Sequence, residues 1–146
     1  MLKVFIDTNV LMDLCLENRP EKPFAEKIFS AARASVFQLC ITTQSIIDLA
    51  YCARKNGMDY ESFKSLLQSL RSFVQILSID DLDLLWALAH HSGDFEDDAQ
   101  YASAYSGVCD FFITRDKALF DLNSPFCPLT VISPRDFLSA LEPGNG

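Results

Sequence analysis

Glycine is scarce in this 146-residue chain: there are five, at positions 57, 93, 107, 144 and 146. The scarcity excludes the glycine-rich signatures of nucleotide-binding proteins and the G-x-S-x-G elbow of hydrolases. Paired cysteines are also missing, because the five cysteines include no C-x-x-C motif and most lie in apolar segments. We therefore expect reduced thiols in a cytoplasmic protein and no zinc site.

A long apolar run and a basic excess are absent as well. No stretch of about 18 apolar residues occurs, so we expect no membrane span. The apolar N-terminus is interrupted by Asp7 and Asp13 and indicates a strand and a helix, not a secretory signal. Twelve Lys and Arg against twenty Asp and Glu give a net charge of −8. This balance argues against nucleic-acid binding by bulk charge, but not against a nuclease whose acidic residues hold metal ions.

Short apolar runs alternate with amphipathic segments along the chain. The 49% apolar content predicts one packed domain over 1–141, with 142–146 as a frayed tail. Runs rich in β-branched and aromatic residues predict buried strands at 2–6, 36–42, 74–79, 111–114 and 129–132. Helical spacing predicts helices at 21–34, 44–56, 60–72, 81–91, 96–106 and from Pro134 to Leu141. This alternation indicates an α/β fold with a parallel sheet covered on both faces.

Acidic residues stand where the predicted strands end. Asp7 follows the first strand directly, Asp116 lies just past the fourth, and Asp48 lies about one turn into the helix after the second. The helix at 96–106 must run antiparallel to the fourth strand, so its start, with Asp94 and Asp97, also lies at the carboxyl edge. Ligands of such sheets bind at that edge, where the strand order reverses.

Converging carboxylates repel one another unless a cation neutralises them. Oxygen ligands without His or Cys favour Mg²⁺ or Mn²⁺, and such a site suits phosphodiester hydrolysis without a protein nucleophile. The alternative is that each of these acids is a helix cap or a solvated charge. It is the convergence of four of them at one edge that favours a metal site.

Four stretches resemble the PIN-domain family. V-F-I-D-T-N-V-L-M-D at 4–13 is similar to the opening of these proteins, and S-I-I-D at 45–48 resembles their second acidic motif. D-F-E-D-D-A-Q-Y-A at 94–102 and D-F-F-I-T-R-D-K-A-L-F at 110–120 look like their third and fourth. The motifs span nearly the whole chain in the right order, and the D-F-E-D form is typical of one bacterial branch.

The resemblance implies a five-stranded parallel sheet in a three-layer α/β/α sandwich. It also implies a Mg²⁺- or Mn²⁺-dependent ribonuclease, often the VapC-like toxin of a toxin–antitoxin pair. Matched position by position, the acidic quartet corresponds to Asp7, Asp48, Asp97 and Asp116. The resemblance further implies Asp94 as an accessory metal ligand, Thr8 or Asn9 as the residue that orients Asp7, and hydrogen-bonding support from Ser45 or Thr114.

Two positions depart from the family pattern. The second acid is usually Glu, whereas here it is Asp48, one methylene shorter, so that a bridging water could fill the gap to a metal. Asp98 stands where the family commonly has a small apolar residue, and we interpret it as a helix N-terminal charge.

Arg115 and Lys117 flank Asp116 and could steer an RNA backbone; the alternative is plain surface charge. Four further side chains are interpreted as structural: Trp86, His90, His91 and Tyr101.

The expected partners are an RNA substrate, an antitoxin protein and a second copy of the chain. An apolar groove on the helices at 21–34 and 44–72 would suit an antitoxin helix or a homodimer. The competing hypothesis is a non-catalytic PIN-fold binding or assembly module. A haloacid-dehalogenase-type phosphohydrolase is disfavoured, because Asn9 stands where that chemistry needs a second acid, and a receiver domain matches poorly.

Overall fold

The computed structural model describes residues 1–90 and 92–142, and a five-stranded parallel sheet forms its centre. The strand order is β3-β2-β1-β4-β5. The strands are β1 (Lys3–Ile6), β2 (Gln38–Thr42), β3 (Val74–Leu77), β4 (Phe111–Ile113) and β5 (Thr130–Ile132). Each lies within a predicted run, so the α/β fold with a parallel sheet is confirmed.

Seven α-helices surround the sheet in the described part of the chain. They are α1 (Thr8–Cys15), α2 (Lys22–Arg33), α3 (Thr43–Lys55), α4 (Tyr60–Arg71), α5 (Asp81–Ala89), α6 (Phe95–Ser106) and α7 (Pro134–Leu141). Most begin at a side-chain oxygen that accepts a hydrogen bond from a free backbone N–H of the first turn, as Asp94 does for α6. A 3-10 helix (Lys117–Leu122), which the periodicity does not predict, follows β4 and is capped by Asp116. None of the described helices is long and apolar enough to span a bilayer.

The two faces of the sheet are buried by different layers. Along β1, Val4 and Ile6 face the core formed with α1, α2, α3 and α7, whereas Phe5 faces the core formed with α6 and the 3-10 helix. This alternation is the two-residue period of a strand. On the second face the Phe5 ring stacks on Phe112, with 5.0 Å between centroids, and Tyr101 lies 5.8 Å from Phe112. The molecule is therefore a three-layer α/β/α sandwich.

Tyr101 belongs to this core, as predicted, and its ring carries the aromatic contacts out to the surface. Trp86 stacks on Tyr101 at 5.5 Å and is 36% exposed, so it belongs to the core only in part. His90 ends α5 and stacks on Trp86 at 4.7 Å, in the structural role expected of it. His91 and residues 143–146 of the predicted tail lie outside the described residues.

The strand order reverses between β1 and β4. From β1 the chain builds outward through β2 and β3 on one side, then returns to place β4 against the other side of β1. The connections that leave β1 and β4 therefore diverge and open a crevice at the carboxyl edge. Asp7 and Asp116 follow these two strands, so the topology brings them to the same crevice.

Val108 has a backbone conformation that β-branched residues rarely adopt. Its φ is +58°, in the left-handed region, which strains the backbone of a β-branched residue. Because the side chain is 76% exposed, its packing offsets little of this strain. We expect Val108→Gly to raise the free energy of unfolding by about 1 kcal/mol in chemical denaturation. Val36, also exposed but outside the left-handed region, serves as the control: Val36→Gly should lower the stability instead.

Candidate active site

Asp7 forms the buried floor of the acidic crevice. It is 2% exposed, its N–H donates to the Ile113 carbonyl, and its Oδ1 accepts from the Val10 N–H at 2.9 Å. Its Oδ2 accepts a short hydrogen bond from the Thr114 hydroxyl. Burial raises the pKa of Asp7 to about 6, although these hydrogen bonds oppose the shift. The carboxylate is thus held rigidly by β1, α1 and the end of β4.

Above this floor, three carboxylates from two segments approach one another. One oxygen each of Asp94, Asp97 and Asp116 lies within 4.8 Å of the other two. Partial burial, a hydrogen bond with Asp116 and the charges of nearby acids raise the pKa of Asp97 to about 8. The pKa of Asp116 is lowered, because the Ala118 N–H and Asp97 donate hydrogen bonds to it. The opposite directions of these two pKa shifts make Asp97 the donor and Asp116 the acceptor of the hydrogen bond that they share.

A pair of carboxyl groups, Asp48 and Glu96, lies beside this cluster of three. Glu96 was not predicted from the sequence. Glu96 shares a hydrogen bond with Asp48, and this contact, followed by burial, raises the pKa of Glu96 to about 7. Its Oε1 also accepts from Thr8 Oγ1 and from Gln100 Nε2, each at 3.3 Å. Positions 96 and 100 are one helical turn apart and face Thr8 together, a spacing that could have revealed Glu96.

The residues predicted to support the site by hydrogen bonds serve two different acidic groups, which are Asp7 and the pair of Asp48 and Glu96. Thr114 donates to Asp7, whereas Thr8 bonds to Ser45 Oγ at 2.8 Å and belongs to the pair of Asp48 and Glu96. Asn9 is exposed and makes no side-chain hydrogen bond within the described ranges. The oxygen that orients Asp7 therefore comes from the end of β4, and not from α1.

Arg115 is engaged within the fold. Its guanidinium forms an ion pair with Asp13, at 3.0 Å to Oδ2 and 3.1 Å to Oδ1, and Asp13 is 2% exposed. Burial raises the pKa of Asp13, while the Arg115 charge opposes the shift. Both ion pairs found over residues 1–90 and 92–142 involve Asp13, the second with Arg19 at 3.5 Å. Lys117 is exposed at the start of the 3-10 helix.

We expect Arg115→Ala to lower the free energy of unfolding by about 2–4 kcal/mol. The substitution leaves a buried carboxylate with only the longer Arg19 contact, and an uncompensated buried charge is costly. Chemical denaturation measures the loss, and Lys117→Ala is the matched control because it removes an exposed neighbouring charge. A loss of less than about 0.5 kcal/mol for Arg115→Ala would show that the pair contributes nothing to the fold.

The carboxylates of Asp94, Asp97 and Asp116 have the chemistry of ligands for a hard cation. No Lys or Arg in the part of the chain that the structure describes lies within ion-pair distance of Asp94, Asp97 or Asp116. Carboxylate oxygens this close, without His or Cys, fit Mg²⁺ or Mn²⁺ and fit softer metals poorly. The fold and this cluster together define an α/β/α protein with an acidic site at the strand-order reversal.

The family of the chain follows from a match over most of its length. A family model described as the PIN domain matches residues 3–118. The chain therefore belongs to the PIN domain family, as the resemblance predicted. A search of curated proteins found no significant match.

Several solved structures share the fold at low sequence identity. The VapC20 toxin of Mycobacterium tuberculosis, which cleaves the sarcin-ricin loop, superposes with a TM-score of 0.61 at 11% identity over 75% of this chain and 86% of that one. A toxin–antitoxin complex from Klebsiella pneumoniae contains a chain with a TM-score of 0.63 at 20% identity, covering 90% and 97%. VapBC2 of Rickettsia felis, bound to promoter DNA, gives 0.61 at 13% identity, covering 90% and 98%.

Proposed function

We propose that this protein is a Mg²⁺- or Mn²⁺-dependent ribonuclease and the toxin of a toxin–antitoxin pair. The observation that carries the proposal is the approach of the Asp94, Asp97 and Asp116 carboxylates to within 4.8 Å of one another. The charge of the buried Asp7 acts on Asp97 as well and helps to raise its pKa. Membership of the PIN domain family and the likeness to toxin structures support the same activity.

Asp7, Asp94, Asp97 and Asp116 are the residues that would hold the ion. Because the pKa of Asp97 is raised to about 8, ion binding must displace a proton, and affinity should increase with pH up to that range. When bound, such an ion polarises a phosphoryl oxygen and lowers the pKa of its water. Asp7 contributes a carboxylate whose position is set by Thr114 and Val10, so little ordering is needed on binding.

The second carboxyl pair gives the site a group that can transfer protons. Asp48 and Glu96 share a hydrogen bond, and the pKa of Glu96 is raised to about 7. A carboxyl group with a pKa close to the working pH is suited to general acid–base catalysis. We propose that this pair takes the proton of the attacking water or supplies one to the leaving oxygen. The short Asp48 then acts through Glu96, with no need to reach the ion itself.

Cleavage of single-stranded RNA by the purified protein tests the activity. We expect cleavage with Mg²⁺ or Mn²⁺ and none with a chelator. A folded protein that binds Mn²⁺ in calorimetry but cleaves no RNA would favour the competing hypothesis of a non-catalytic PIN-fold module. Mn²⁺ soaked into crystals should also give density between Asp7, Asp97 and Asp116.

Growth of a bacterial host tests the toxin assignment separately. Expression of the chain should arrest growth, and co-expression of a small protein encoded beside its gene should restore it. Growth that continues while the purified enzyme is active would indicate a housekeeping nuclease. Four expectations from the sequence stay predictions. They are the homodimer, the antitoxin groove on α2, α3 and α4, the cytoplasmic location, and RNA contacts by Arg115 and Lys117.

A further inference from the structure

Asp13 is a buried carboxylate that holds two arginines from different segments of the chain. It lies on α1 and is 2% exposed. Arg115, just past β4, contacts both of its oxygens, at 3.0 and 3.1 Å. Arg19, in the loop between α1 and α2, lies at the limit of contact, 3.5 Å from Oδ1. Because one carboxylate faces two guanidinium groups, these three residues together carry a surplus positive charge.

The arginine pair, Arg19 and Arg115, is not fully occupied by this contact. The two side chains are 30% and 39% exposed. A guanidinium has more N–H donors than one carboxylate can use, and within residues 1–90 and 92–142 neither group bonds to any acceptor other than Asp13. Arg115 already compensates Asp13, and a partly exposed ion pair at the limit of contact stabilises a fold little. The position of Arg19 therefore indicates a second anion that both arginines can bind.

The arginine pair lies beside the proposed metal ligands. Arg115 directly precedes Asp116 in the chain. Its positive charge also opposes the burial that raises the pKa of Asp7. The Arg115 guanidinium is therefore close enough to act electrostatically on the buried floor of the crevice.

A carboxylate and an ammonium group also lie near Asp13. The charge of Glu21 contributes to the raised pKa of Asp13. Lys22 follows Glu21 at the start of α2, and its ammonium donates to the carbonyls of Leu14 and Leu16 at the end of α1. The charges of Glu21 and Lys22 offset each other, so that the surplus of the arginine pair remains.

A phosphodiester group is the anion that fits this place. Guanidinium groups bind phosphate oxygens through parallel hydrogen bonds, and contacts of this kind fix the position of a nucleic acid without reading its sequence. The chain has a net charge of −8 and the crevice is acidic, so bulk charge repels RNA and a local cationic site is needed to place it. Resting on the ribonuclease function proposed above, we propose that Arg19 and Arg115, braced by Asp13, bind a backbone phosphate of the RNA substrate next to the phosphate that is cleaved.

RNA binding in a chelator at low salt tests the arginine pair without cleavage. Arg19 is the residue to change, because Arg115 also stabilises the fold through Asp13. We expect Arg19→Gln to bind labelled single-stranded RNA at least about fivefold more weakly than the wild type, whatever the RNA sequence. The slope of log affinity against log salt concentration should fall by about 0.7, the value for one phosphate of a single strand. Arg19→Lys keeps the charge without the planar fork, so it should retain the slope and lose part of the affinity.

Arg54→Gln is the matched control, because it removes the same charge from the last turn of α3, which leads away from the carboxyl edge. Its affinity for RNA should stay within about twofold of the wild type. Equal weakening by Arg19→Gln and Arg54→Gln would show an effect of net charge alone and overturn the inference. Arg19→Gln should also melt close to the wild type, since its contact with Asp13 is long and partly exposed. Lost stability with unchanged RNA affinity would make the contact structural and overturn the inference.

RNA cleavage separates this inference from the proposed function. With Mg²⁺, Arg19→Gln should raise KM by about the factor by which it weakens binding and leave kcat within about twofold, because it removes binding common to the ground state and the transition state. An unchanged KM in an active enzyme would overturn the phosphate site and leave the ribonuclease standing. RNA binding that depends on Arg19 in a protein that cleaves nothing would overturn the ribonuclease and support the site. If Arg19→Gln instead escapes the antitoxin and keeps its RNA affinity, the pair binds a carboxylate of that partner, and the inference is overturned.

Discussion

Replacement of Asp7 by asparagine is expected to lower metal-dependent RNA cleavage by at least about a hundredfold, or roughly 2.7 kcal/mol of transition-state stabilisation. The substitution removes the charge that a Mg²⁺ ligand supplies but preserves the size of the side chain. The protein should stay folded, because Asn can accept from the Val10 N–H and donate to Thr114 Oγ1. Neutralising a carboxyl whose pKa burial has raised to about 6 also removes a charge that the fold disfavours.

The matched control for Asp7 lies at the other edge of the sheet. Asp110 precedes β4 and accepts from the Lys3 N–H at 2.8 Å, so Asp110→Asn removes one acidic charge while it preserves a hydrogen bond to the backbone. Its cleavage rate should stay within about threefold of the wild type. In a host, Asp7→Asn should no longer arrest growth if the wild type does. Near-normal Mg²⁺-dependent cleavage by purified Asp7→Asn would refute the mechanism as well as the residue assignment.

Asp97→Asn is expected to abolish cleavage and to stabilise the metal-free protein at pH 8. The pKa of Asp97 is 3.8 in an ordinary environment and about 8 in the folded protein, so the folded state binds the proton more tightly than the unfolded state. The contribution of Asp97 to the free energy of unfolding is therefore fully present below pH 3.8, and it is lost as the pH rises towards 8. The asparagine variant avoids this loss, and we expect a gain on the order of 1 kcal/mol at pH 8.

Denaturation curves at pH 5 and pH 8 with a chelator measure this effect. The wild type should lose stability from pH 5 to pH 8, and Asp97→Asn should lose less, because residue 97 no longer titrates. The variant should still lose some stability, since Asp7 and Glu96 also have raised pKa values. Mn²⁺ should stabilise the wild type more than the variant. If Asp97 were only a helix cap, Asn would cap nearly as well and cleavage would survive. The cap of α6 is instead Asp94, whose Oδ1 accepts from the Asp97 N–H. Unchanged cleavage by Asp97→Asn would exclude Asp97 as a metal ligand.

Much of the fold could be predicted because local patterns report secondary structure directly. Alternation of strands and helices indicated the parallel sheet, and Asp7 and Asp116 at strand ends indicated the edge where they meet. The 3-10 helix at Lys117–Leu122 was not predicted, because a turn of this kind depends on its cap and its packing more than on periodicity. The domain bounds at 1–141 and the D-F-E-D branch stay predictions.

The sequence by itself determined the order of strands and helices and the family, since hydrophobic spacing and the quoted motifs are local properties of the chain. Only the tertiary structure decided which side chains touch. The hydrogen bond from Thr114 to Asp7 joins residues 107 positions apart, and Arg115 pairs with Asp13 across 102 positions. Such contacts depend on the rotation of each helix about its axis and on the register of neighbouring strands. A small rotation of α6 would expose Asp98 and separate Glu96 from Asp48, and no local pattern specifies an angle that closely.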